Sequence, residues 1–90
     1  MLKDDIDTYL AVRRAAGFDL INDAIYLYHF ARFATTQGDS HVNSQTAIAW
    51  AGQARTESQR SIRLKAVIRF ARFSYAADSR HEKPERDAQL

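Results

Sequence analysis

The chain of 90 residues has no cysteine, one proline and three glycines. Without cysteine there is neither a disulfide framework nor a thiolate metal site, and a reducing cytoplasm is the expected compartment. The scarcity of glycine and proline, with no β-branched runs alternating at period two, removes the usual signals of strands and hairpins. No window approaches the ~20 apolar residues of a membrane span. The amino terminus, MLKDDIDTYL, is acidic where a secretion signal is basic and then apolar. A membrane is therefore not an expected partner.

What is present suffices for one core. Hydrophobic residues make up 46% of the chain and aromatics 11%, too apolar a composition for wholesale disorder. So short a chain builds a single domain of modest stability. The formal net charge of +2 says little about partners, but its distribution says more. Residues 1–39 carry Lys3, Arg13, Arg14 and Arg32 against six acids, whereas residues 55–75 carry Arg55, Arg60, Arg63, Lys65, Arg69 and Arg72 against Glu57 alone. That cationic segment suits phosphate or an acidic protein surface; an ordinary solvated helix face has the same composition.

Apolar periodicity predicts four helices. The first runs from about Lys3 to Ala16, with Ile6, Tyr9, Leu10 and Val12 on its apolar side, Asp4, Asp5 and Asp7 near its positive end and Gly17 as terminator. The second, near Leu20 to Gln37, carries the stripe Leu20, Ala24, Leu27, Ala31 and Ala34 and stops at Gly38. A short third helix starts from Asn43 or Ser44 and passes Ala47, Ile48 and Trp50 to about Gly52. The fourth opens on Thr56-Glu57-Ser58-Gln59, a capping box in which threonine and glutamine satisfy two backbone N–H groups reciprocally. It runs to about Ala77 on the stripe Leu64, Val67, Ile68, Ala71 and Tyr75. The expected architecture is all-α, a compact four-helix orthogonal bundle over residues 1–78. Residues 79–90, polar and aperiodic, read as a flexible tail or the start of an interdomain linker.

The tetrapeptide Phe-Ala-Arg-Phe occurs twice, at 30–33 and 70–73, with unlike flanks that argue against a duplicated module. In each copy the alanine lies in the apolar stripe and permits close helix approach, the phenylalanines fill space beside it, and about 100° of turn per residue swings Arg32 and Arg72 outward. Projection puts Asn22, Ile25, His29 and Arg32 on one polar face of the second helix, and Ser58, Lys65, Arg69 and Arg72 on that of the fourth. Side by side, the two faces would form one positive surface suited to a phosphate backbone.

Leu27-x-x-Phe30-x-x-Phe33 followed by Gly38, then Leu64-x-Ala66-Val67-x-x-Phe70-x-Arg72-Phe73, resembles the N-terminal core-binding, or SAM-like, domain of tyrosine recombinases, the phage-integrase family. The resemblance covers roughly residues 2–80. It implies half of a clamp around double-stranded DNA, with the second and fourth helices along the major groove and no cofactor. By position it makes Asn22, Ile25 and His29, and Ser58, Ile62, Lys65 and Arg69, groove-facing sites, with Arg60 and Arg63 as phosphate contacts. Family catalysis belongs to a separate C-terminal domain holding a tyrosine nucleophile, so the chain is expected to be a non-catalytic fragment or lone domain, monomeric by itself. Its other implied partners are recombinase protomers on DNA within a full-length protein. Ile25, Tyr28 and His29 stand where the family often has basic residues, which weakens the expected grip of the second helix. The competing reading is a helical protein-interaction module whose basic fourth helix docks an acidic partner.

Bland readings cover the remaining chemistry-bearing residues. Tyr9, Tyr26, Tyr28 and Tyr75 read as packing rather than nucleophiles, and Trp50 as a core anchor. His29, His41 and His81 read as surface or loop histidines too scattered for a metal site, so no metal is expected; His29 alone is a candidate DNA contact. Asp4, Asp5 and Asp7 fit helix-end electrostatics better than acid–base chemistry.

Overall fold

Two short polar side chains start the second half of the fold. The Asn43 side-chain oxygen accepts from the Thr46 N–H and Thr56 Oγ1 from the Gln59 N–H, each at 3.1 Å, which fixes the first turns of two helices. The structure, a computed structural model, describes residues 1–85; the part of the expected tail at residues 86–90 lies outside the described residues. Its elements are α1 (Leu2–Ala15), α2 (Ile21–Thr36), α3 (Ser44–Ala51) and α4 (Glu57–Ala77), with no strand among the described residues. At the other ends, Gly17 at φ 97° and Gly38 at φ 84° take the left-handed conformation that lets the chain turn out of α1 and α2.

The molecule is a small four-helix bundle. Ile6, Tyr9 and Leu10 of α1, Leu27, Phe30 and Ala34 of α2, Ala47 and Trp50 of α3, and Leu64, Val67 and Phe70 of α4 meet in one core. The two Phe-Ala-Arg-Phe copies serve it differently. Phe30 meets the Trp50 ring edge-on at 5.5 Å, tying α2 to α3, while Phe70 and Phe73 meet Tyr9 at 5.7 and 5.2 Å, tying α4 to α1. Ala31 and Ala71 are buried, and Arg32 and Arg72 are exposed, as the helical projection requires.

Three expectations need correction. Val12 is 49% exposed, because it falls outside the arc spanned by Leu2, Ile6, Tyr9 and Leu10. Tyr75 is 41% exposed rather than core; its ring lies under Lys83 Nζ at 4.0 Å, leaving Ser74 to complete the buried face of α4. The third concerns residues 79–85, read from sequence as a flexible tail or the start of an interdomain linker, whose expected flexibility is not seen. His81 is only 2% exposed and Pro84 is buried, and the Glu82 N–H donates to the Val42 carbonyl at 2.8 Å. The segment lies against the α2–α3 connection.

Candidate nucleic-acid interface

A contact between α2 and α4 frames the candidate interface. Arg69 Nη2 on α4 reaches both carboxylate oxygens of Asp23 on α2 at 3.1 Å. Asp23 occupies the first turn of α2, next to Asn22, so the start of α2 lies against the cationic side of α4. Asn22, His29 and Arg32 on α2, and Ser58, Lys65, Arg69 and Arg72 on α4, are all exposed. Lys65 and Arg72 make no ion pair among the described residues and present unsatisfied positive charge.

The candidate residues do not form one uniform patch. α2 touches α1 through the Tyr28 hydroxyl, which donates to Asp7, and Arg32 borders a groove with Met1, Lys3, Tyr28 and Thr35. Arg32 therefore lies on the α1 flank of α2, whereas Asp23 lies on the α4 flank; Asn22 and His29 project from the helix between Arg32 and that second flank. Arg60 and Arg63 turn toward α3. Arg60 Nε donates to the Ala54 carbonyl at 2.9 Å, and the Arg63 guanidinium lies over the Trp50 ring at 5.5 Å. Arg60 ties the turn between α3 and α4, and Arg63 ties α3 itself, to the last helix, apart from the Lys65–Arg69–Arg72 side.

Acidic and apolar groups dilute the α2 contribution. Asp19 and Asp23 flank Asn22, and Phe18, Ile21 and Ile25 are 51%, 62% and 49% exposed. On α4, Ile62 is 42% exposed on the polar side, where an apolar group suits contact with a base methyl as well as with protein.

Sequence reasoning missed two groupings. Asp23 was not singled out as the partner of Arg69; an acid in the first turn of one helix and a cation midway along another give no signal until the helices are docked. The second is a cluster of His41, Asp78 and His81, whose ligand-type atoms lie within 4.8 Å of one another, so His41 and His81 are not scattered. The two rings meet edge-on at 4.9 Å, and His41 Nε2 lies 3.1 Å from Asp78 Oδ2. Arg80 donates to Asp78 through side chain and backbone, and these bonds, with a smaller contribution from His41, hold the Asp78 carboxyl well below the usual carboxylate range. On α1, Asp7 is likewise lowered, first by the Tyr28 hydroxyl and then by Lys3. Asp7 thus serves an interhelical contact rather than the helix end.

In sequence the chain is similar to a Sinorhizobium fredii protein named "Putative integrase/recombinase y4rB", with 35% identity over 82 residues. The match covers 88% of this chain and 26% of that protein, so the chain spans about a quarter of the length of the curated relative. No family model and no solved structure matches the chain. No helix among the described residues is long and apolar enough to cross a membrane.

Proposed function

We propose that this chain is the DNA-positioning, core-binding domain of a tyrosine site-specific recombinase. The observation that carries the reading is the Arg69–Asp23 bridge, which sets the start of α2 beside the cationic side of α4. The similarity to a protein named as an integrase/recombinase supports it. Lys65 and Arg72 would neutralise phosphates, while Asn22, His29 and Ser58 would offer hydrogen-bonding groups to the groove. Arg60 and Arg63, held toward α3, are secondary phosphate contacts at most. The domain would position duplex DNA for strand exchange performed by a separate catalytic domain, alongside further protomers of the full-length protein. One small module meets few phosphates, so binding is weak and steeply salt-dependent.

Arg69 must leave Asp23 to meet a phosphate, and this makes a specific prediction. Asp23→Asn removes the competing carboxylate, and since a surface ion pair holds about 0.2–1 kcal/mol, affinity for a duplex rises by up to about fivefold. Fluorescence anisotropy with a labelled duplex at low salt measures it. Unchanged or weaker binding would show that Arg69 does not exchange partners.

The second reading, a module docking an acidic protein, is favoured by the exposed Phe18, Ile21 and Ile25 around the start of α2. Polyglutamate competing with the duplex at equal or lower concentration of charge supports that reading and counts against DNA.

A further inference from the structure

We infer that His81 is a proton-operated latch: neutral, its Nδ1 holds the C-terminal segment on the α2–α3 connection through the Val42 N–H, and protonation releases that hold. The inference is independent of DNA binding. The Val42 N–H donates to His81 Nδ1 at 3.1 Å. A backbone amide can only donate, so Nδ1 must carry a lone pair and the ring proton sits on Nε2. Nε2 faces Asp5 Oδ2 of α1 at 3.4 Å. The clasp is reciprocal, because the Glu82 N–H returns a bond to the Val42 carbonyl at 2.8 Å. Glu82 Oε1 then accepts from the Ser44 N–H at 2.8 Å, at the first residue of α3. The imidazole thus fastens the segment after α4 to the α2–α3 connection through Nδ1 and faces α1 through Nε2, while Glu82 beside it reaches the start of α3.

A second ring proton would sit on Nδ1 and point at the Val42 N–H, setting donor against donor in a site only 2% exposed. The groups facing the ring come from each surrounding element. Asp5 of α1 favours the imidazolium; His41 of the α2–α3 connection opposes it; Asp78, already engaged by Arg80, favours it; α4 contributes the apolar Phe70 ring at 6.1 Å. Burial is the largest influence, and the net effect pushes His81 below the ordinary histidine value. A histidine depressed in the closed form contributes its full hold above the open-state value of about 6.5 and loses it as pH falls through that value, because the open segment takes the proton more readily.

The same residues have ligand types that suit a divalent metal, but the two ring nitrogens of His81 are already engaged. His81 Nδ1 is filled by the Val42 amide, its Nε2 bears the proton, and Asp78 is held by Arg80. Proton binding, not metal binding, is the chemistry this arrangement favours.

Amide exchange read by NMR on the whole chain tests the latch. After correction for intrinsic rates, protection at Val42 and Glu82 falls by about tenfold between about pH 7.5 and about pH 5.5, a unit below the ordinary histidine value, while that of Val67 and Phe70 holds. In His81→Asn, whose Oδ1 offers an acceptor where Nδ1 stood, the same two amides show no such fall. Protection at Val42 that is independent of pH in the native chain, or that falls equally in the variant, overturns the inference. If the variant does not fold, ring nitrogen shifts of the native chain decide. An Nε2–H tautomer with a midpoint below the ordinary value supports the latch. An Nδ1–H tautomer, an ordinary midpoint, or stoichiometric Zn²⁺ shifting both His41 and His81 at neutral pH refutes it.

Discussion

Replacing Lys65 and Arg69 together by alanine lowers affinity for a long DNA duplex at low salt by about tenfold or more, and flattens the salt dependence by about two phosphate equivalents. Both residues are exposed on α4, and Lys65 makes no ion pair among the described residues. Alanine is the best helix former, so α4 persists in the variant. Losing the bridge to Asp23 costs the fold about 1 kcal/mol, because its Arg69 end is solvent-exposed. Part of the lost affinity would come from Asp23 itself, whose carboxylate is left to repel phosphate. Lys3→Ala is the control: Lys3 lies on α1, pairs with Asp7 at 3.2 Å and should leave affinity nearly unchanged. Anisotropy titrations at several salt concentrations measure both quantities, and a double variant that binds like the native chain removes this face from the DNA interface.

The largest expected effect on stability is at Phe70. Its side chain is fully buried, meets Tyr9 edge-on at 5.7 Å and closes over the His81 ring at 6.1 Å. Phe70→Ala leaves a cavity where α1, α4 and the C-terminal segment meet, and truncations of this kind cost about 3–5 kcal/mol. Against a total of roughly 5–15 kcal/mol for a small domain, that removes much of the margin. Denaturant melts should show a large fall in midpoint. Phe73→Ala removes a half-buried neighbour and should cost distinctly less; equal losses would show that burial does not rank the two positions.

Helix number and order were legible because each stripe is built of apolar residues at three- and four-residue steps. The stops at Gly17 and Gly38 and the starts at Asn43 and Thr56 were legible because glycine's left-handed backbone and the capping side chains of asparagine and threonine both act locally. Val12 and Tyr75 misled because an apolar residue adjoining a stripe looks like part of it, and only the docked neighbours decide. The segment after α4 misled for another reason. Its contacts run from His81 to Val42 and Asp5, far away in sequence, and it uses hydrogen bonds to loop backbone, which leave no periodic trace. A local clue existed in Asp78, whose side chain accepts from the Arg80 N–H two residues on, a turn motif rather than a frayed end.

At the interface, helical projection placed Asn22, His29, Lys65, Arg69 and Arg72 outward, where they are. The family resemblance, not the projection, made Arg60 and Arg63 phosphate contacts; their angular position lies near the core stripe, and their long side chains extend to Ala54 and Trp50. Charge composition counted six cations near α4 and could not tell which of them already had partners.

On the proposed function, α2 and α4 offer one joint surface to duplex DNA. A backbone chemical-shift map of the whole chain, recorded while a duplex is titrated at low salt, tests it most directly. Shifts are expected along both Asn22–His29 and Ser58–Arg72, centred where Asp23 meets Arg69. Shifts confined to α4, or appearing on α1 and α3 instead, would contradict it.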